Sequence, residues 1–293
     1  MAEAHQEAND YQADAEDYQP DDSGSSTDEA GEQLQATISG SQHLDLEQRW
    51  AECESIISRR VNFFGDAYPF TQASIYRGIE IKEDADQPLR RWYRFLLLAS
   101  SLQYAKQMQR ITSAFEALSL EVFKKLTPPG CEVHGFWPGN HHYPTDKAGR
   151  ITKLAGDVRG IPTFSDNAFH DGDRGDAGID LVAWHPLGDH RNRIPVALAQ
   201  CGCSAEDWKT KPHSVSRTNL AHKLLIAQDW WQFYFMPHEM RSSINDWATG
   251  NGDLPSVIVI DRARIYTLAQ TNNLALPQAA EDLIQELDVT EYA

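Results

Sequence analysis

The sequence predicts an α/β domain preceded by a helical extension and an acidic tail, and three observations carry that prediction. Long stretches at helical spacing fill the first half of the folded region, short β-branched and aromatic runs fill the second, and the first 40 or so residues lack the apolar content to form a core. With 293 residues and 41% hydrophobic content, the chain can bury one large core or two small ones. Three segments are expected: a disordered acidic tail over 1–42, a helical extension over 43–105, and an α/β domain over 106–293.

Charge is distributed unevenly. The formal net charge of −17 argues against nucleic-acid binding only while it is treated as uniform, because residues 1–48 hold 13 of the 43 acids and no Lys or Arg. The remainder, with 30 acids to 26 bases, is close to balance. No basic start followed by an apolar run is present, and FLLLASSL is too short to span a bilayer, so a cytoplasmic protein without membrane attachment is expected. Cys53, Cys131, Cys201 and Cys203 lack the spacing of a disulfide framework and suit reduced thiols. A zinc site from Cys131 with His134, His141 and His142 was weighed, but neither the C-x-C at 201–203 nor the His pair in a Gly/Pro/Asn-rich stretch has knuckle spacing.

The elements follow in order. LEQRWAECESIISRR (46–60) has helical spacing with Trp50, Ile56 and Ile57 on one face. From Pro88 to Leu126 the chain reads as helix, either two helices or one bent one, stopped by Pro128, Pro129 and Gly130. EVHGFWPGN and the Gly- and Asp-rich stretch over 151–177 read as loops and short strands. GIDLVAWHP and RIPVALAQCG read as strands joined by the polar turn GDHRNR into a hairpin. RTNLAHKLLIAQDWWQ is expected to be helical, FYFMPH and PSVIVIDR to be buried strands, and PQAAEDLIQELD a closing helix with Pro in its first turn.

The chemistry is expected in the hairpin. Strand alternation puts Asp180 on the face of Val182 and Trp184, where a carboxylate is costly unless a positive charge meets it. A salt bridge or a turn cap would satisfy it; so would a hard divalent cation. Gln200, ending the partner strand, could lend its amide oxygen to the same ion, and Glu116, beside the Phe115, Leu118 and Val122 stripe, could supply a third.

The run D-x-G-I-D, an apolar hairpin and a strand ending in Gln, preceded by a helix carrying F-E, resembles the Mrr-like branch of the PD-(D/E)XK nucleases. The resemblance covers residues 110–235. It implies a restriction-endonuclease-like central mixed sheet flanked by helices, and matches Glu116 to the helix acid, Asp180 to the metal-binding Asp, Gln200 to the Gln of Q-x-K and Gly178 to the small residue before the strand. The lysine of that motif falls on Gly202. Lys209 and Lys211 are the candidates to replace it. The implied activity is Mg2+- or Mn2+-dependent hydrolysis of nucleic-acid phosphodiesters, DNA foremost, in a prokaryotic restriction or anti-phage defence system. Lys209, Lys211, Arg217 and Lys223 would hold the phosphate backbone.

The alternative is a nuclease-like subunit without catalysis that binds nucleic acid or a protein partner in a defence complex, docking through WWQFYF; a homo-oligomer is also compatible. A hydrolase using Asp180 with His170 or His185 has no G-x-S-x-G or H-E-x-x-H run behind it.

Overall fold

A computed structural model describes residues 27–73, 78–82, 87–165, 178–242, 244, 246–249 and 256–290. The expected tail over 1–26, residues 166–177 with the first two positions of D-x-G-I-D, and His170 lie outside the described residues. The chain divides at residues 53 and 54 into two compact units. Helix α1, Thr27–Phe64, already occupies the part of the expected tail from Thr27 to residue 42. The segment TDEAGEQLQATISGSQ contains no proline and is rich in Glu, Gln and Ala, which a helix accepts readily. The helical extension anticipated over 43–105 is thus shared between the two units.

Within residues 54–293, α2 (Pro88–Ser100) and α3 (Met108–Leu126) are two separate helices. Their amphipathic stripes bury Trp92, Phe95, Leu96 and Ala99 from one and Ile111, Ala114, Phe115, Leu118, Val122 and Phe123 from the other. Ile57 is buried as expected, but its neighbour Ile56 is exposed. A five-stranded mixed sheet follows, in the order β3 (Glu132–Gly135), β5 (Leu181–Trp184), β6 (Val196–Cys201), β8 (Trp231–Phe235) and β9 (Ile258–Ile260). The first three strands run antiparallel, and β8 and β9 are parallel to β6. The expected hairpin is β5–β6, with Leu181 opposite Ala199 and Trp184 opposite Val196.

Alternation assigns the two faces of the sheet. Leu181, Ala183, Ala197, Ala199, Phe233 and Phe235 face a layer containing α2, α3, α6 (Arg262–Thr271) and α7 (Gln278–Thr290). Val182, Trp184, Val196 and Leu198 face α4 (Lys147–Val158). Small residues at 183, 197 and 199 let α3 approach, and Phe123 fills the gap edge-on to Phe233 and Phe235, at centroid distances of 5.5 and 6.1 Å. Phe233, Tyr234 and Phe235 are therefore core, whereas Trp231 is 57% exposed. Two small hairpin-like pairs, β1 (Phe70–Gln72) with β2 (Ile79–Ile81) and β4 (Ile161–Pro162) with β7 (Leu224–Leu225), lie outside the main sheet.

Two readings are corrected and one element went unread. Residues 151–158, read within a stretch of loops and short strands, belong to α4, with Ile151, Leu154, Ala155 and Val158 buried and Asp146 capping the amide of Gly149 at 2.6 Å. Gly149 and Gly156 lower its intrinsic propensity, and packing overrides that. RTNLAHKLLIAQDWWQ is not one helix: only Arg217–Leu220 (α5) is helical before β7 and β8 begin. Leu220 and Leu224 mimic a helical repeat, but Leu224 and Ile226 are buried around an exposed Leu225, which is strand alternation. α6 went unread because its buried stripe, Arg262, Ala263, Ile265, Tyr266 and Ala269, carries an arginine and a tyrosine among small residues where a run of large apolar side chains would mark a helix. Pro277 directly precedes α7, and its carbonyl accepts the first helical bonds, from Ala280 and Glu281. Among the described residues, no helix is long and apolar enough to cross a membrane.

Candidate functional site

The chain reaches β5 through Gly178, whose φ of +72° suits glycine. A Cβ there would also lie 2.4 Å from Ser214 Cβ. Ile179 then buries in the core on the α4 side. Asp180 donates its amide to Ala199 O at 2.9 Å, although Ala199 is already the register partner of Leu181. Two residues thus oppose one, the pattern of a β-bulge, which re-aims a side chain. The alternation expected to place Asp180 with Val182 and Trp184 stops at this bulge. The carboxylate turns along the partner strand, and its Oδ2 accepts the Cys201 amide at 2.6 Å. Asp180 O accepts the amide of Phe136, just beyond β3, at 2.7 Å.

Gln200 sits on β6 between the two residues that Asp180 grips. It is 9% exposed and opposite Tyr234 in the parallel register. Its Oε1 accepts from the Ser214 hydroxyl. Ser214 Oγ also lies 3.1 Å from Gly178 O and 2.8 Å from Lys211 O, and with one proton to give it serves one acceptor at a time. Ser214 was missed in the sequence: nothing in KPHSV marks it, since its importance comes from the turn Lys211–Val215 folding against β6.

Glu116 is half-buried on α3, beside the buried Phe115, Leu118 and Ser119. Two thiols report what surrounds it. Cys201 is held well above the ordinary thiol range by burial first, then by the carboxylates of Asp180 and Glu116, with the nearby Ser119 hydroxyl opposing. Cys203 is pushed up to about 12 by burial, then Glu116, with Lys211 pulling the other way and Asp180 adding to the rise. The charges of Asp180, Glu116 and Lys211 are thus felt at the thiols around the C-terminal end of β6. Neither cysteine is a nucleophile in this setting, because both thiols stay protonated near neutrality.

The structure separates the two candidate lysines. Lys211 acts on Cys203, whereas Lys209 is exposed, with its ammonium 5.3 Å from the Trp208 ring centroid. Arg217 pairs with Asp229 at 2.6 Å and lies over Trp230, and Lys223 sits between α5 and β7. Arg217 and Lys223 do not share one helix, since that helix ends at Leu220.

Gly202 has its own reason to be glycine. A Cβ there would stand 2.1 Å from Tyr234 Oη and 2.9 Å from Cζ, and Tyr234 is fully buried. The motif lysine has no room at this position.

The presumed ligands arrive from different sides. By alternation Gln200 belongs with Val196 and Leu198 toward α4, while Glu116 comes from the α3 side and Asp180 lies at the bulge. Among the described residues, no three His, Cys, Asp or Glu are grouped to hold a metal ion, and the Cys131, His134, His141 and His142 set is not assembled as one. The donors at the end of β6 are oxygens only, two carboxylates and an amide, which suits a hard cation that retains several waters. Compared with protein-family models, curated proteins and solved structures, the chain gives no match.

Proposed function

We propose that the protein is a Mg2+- or Mn2+-dependent nuclease of the PD-(D/E)XK type that hydrolyses nucleic-acid phosphodiesters, DNA foremost. The observation that carries this reading is the Asp180 carboxylate, turned by the bulge onto the Cys201 amide at the end of the strand that holds Gln200. A mixed five-stranded sheet with helices on both faces is compatible with the fold that the sequence resemblance implies. Asp180, at the bulge, would be the principal holder of the ion, joined by Glu116 from the α3 side or by the Gln200 oxygen, through its second lone pair, from the α4 side. Such an ion supplies neutralisation of the scissile phosphate and acidity to water.

The protein's own groups do the positioning. The Cys201 amide fixes one oxygen of Asp180, Ser214 fixes Gln200, and the Lys211 ammonium stabilises negative charge developing on the phosphate. Replacing Lys211 with alanine should lower cleavage by about 10²–10³-fold with little loss of binding, the magnitude typical of one lost transition-state donor. Lys209→Ala should alter salt-dependent affinity at most. Single-turnover cleavage and filter binding on both variants check this, and equal losses would remove Lys211 from the mechanism.

A second reading is favoured by one observation. Gln200 Oε1 and Asp180 Oδ2 already accept bonds from the chain, as they would in a nuclease-like subunit that binds nucleic acid or a defence-complex partner without cutting. The deciding experiment incubates supercoiled plasmid, linear DNA and RNA with the wild type in Mg2+ or Mn2+, beside Asp180→Asn. Cleavage by the wild type alone supports the enzyme; no cleavage of any substrate leaves the second reading.

A further inference from the structure

Away from the end of β6, two histidines are packed in a way that the proposed function does not use. His134 on β3 and His142 in the connection to α4 stack with ring centroids 3.9 Å apart and planes 14° from parallel. Trp184 of β5 stacks on His134 at 5.3 Å, and Tyr143 stands edge-on to both imidazoles. His142 Nε2 meets Asp157 Oδ2 of α4 at 2.8 Å, and the other oxygen of Asp157 takes Lys153 Nζ at 2.6 Å. The nearest carboxylate to His134 Nε2 is Glu132, at 3.6 Å, beyond hydrogen-bonding range. That nitrogen is buried without a hydrogen-bond partner.

The connection is tied down around this stack. Asn140 Oδ1 accepts the amides of His142 and Tyr143 at 2.8 and 2.7 Å, and its Nδ2 donates to Gly135 O. Phe136 packs on Tyr143 and donates its amide to Asp180 O.

A proton on His142 points at Asp157. A proton on His134 Nε2 has only the exposed Glu132 carboxylate, at 3.6 Å, to meet it and sits against His142, and two imidazolium rings at stacking distance repel each other. We propose that the His134–His142 stack is an acid-sensitive latch, intact while His134 is neutral and opened when His134 takes a proton, releasing the β3–α4 connection from the sheet. Because Phe136 holds Asp180 O, opening also loosens the start of β5. The proposal stands whether or not the protein is a nuclease.

The direction of the pH dependence follows. Burial first, then the charge of His142, lowers the His134 value, with Glu132 and Asp157 opposing. An unfolded histidine titrates near about 6.5. The stability gained from a neutral His134 is therefore complete above that value and is lost as pH falls through it toward the lowered folded value.

The test is an NMR titration of the His134 and His142 Cε1 protons in the wild type and in His142→Gln, with hydrogen exchange followed over residues 136–143. In the wild type His134 should titrate below the ordinary histidine value, and its midpoint should rise in His142→Gln. Exchange over 136–143, corrected for its intrinsic pH dependence, should increase on acidification, and His134→Phe, which keeps a stacked ring without a basic nitrogen, should abolish the increase. Coincident titration of both rings near the ordinary value in the wild type would overturn the latch. So would an undiminished increase in exchange in His134→Phe.

Discussion

Replacing Asp180 by asparagine should cost at least about 10²–10³-fold in metal-dependent cleavage while leaving the melting temperature nearly unchanged. Asparagine keeps an oxygen for the Cys201 amide and removes only the charge. Alanine removes both. The Cys201 amide, inside an otherwise buried strand, would lose its acceptor, adding about 1–3 kcal/mol of destabilisation. For a unit of this size that is a fall of roughly 2–4 °C per kcal/mol. Cleavage kinetics with thermal melts on both variants separate the charge from the hydrogen bond. If Asp180→Asn cuts as well as the wild type, the carboxylate is an acceptor for the β6 backbone and nothing more, and the nuclease reading loses its central residue.

Installing the motif lysine by Gly202→Lys should damage the protein rather than improve it. The new Cβ would overlap the Tyr234 hydroxyl, and Tyr234 is held in the sheet opposite Gln200, with Gly202 N bonded to Phe235 O at 2.9 Å. Gly202→Ala alone should cost about 1–3 kcal/mol by overpacking, and lysine more, because its charge starts from a buried position. Tyr234→Phe removes the closest atom, so the double variant Gly202→Ala/Tyr234→Phe should recover at least about 0.5 kcal/mol relative to additivity. Denaturant unfolding of the four proteins in this cycle measures the coupling. Strict additivity would mean that Tyr234 is not what keeps position 202 small. A gain of cleavage in Gly202→Lys would show that the site lacks its lysine and that Lys211 has not replaced it.

Both predictions turn on one strand end, where a bulge, a glycine and a buried tyrosine meet. The bulge turns Asp180 from its expected place in the alternation onto the β6 backbone. Tyr234 occupies the space in which the motif would put its lysine. Lys211 opens the following turn, whose Ser214 holds Gln200, and its long flexible stem would let it serve in place of the motif lysine.

Much of the fold was legible in the sequence because it rests on local signals. Apolar spacing marked α2, α3 and α7, the Pro128–Pro129–Gly130 breaker ended α3, and GDHRNR between two apolar runs marked the β5–β6 hairpin. Asp180 and Gln200 stood out as polar residues interrupting those runs. Elements without a local signal were not legible: α4 carries two glycines, the buried stripe of α6 includes an arginine, and the stretch after Leu220 imitates a helix until its neighbours impose alternation.

Tertiary structure alone decided the rest. The order and direction of the strands, with β8 and β9 parallel to β6, depend on crossovers whose path no short window of sequence encodes. The hold of Ser214 on Gln200, the exclusion of a side chain at Gly202 and the His134–His142 stack are contacts between distant residues, fixed only when the layers close. Sequence determined which residues are polar where a core was due; packing determined which of their atoms meet, because hydrogen bonds and steric overlap act over a few ångströms, while sequence spacing fixes position only along one element.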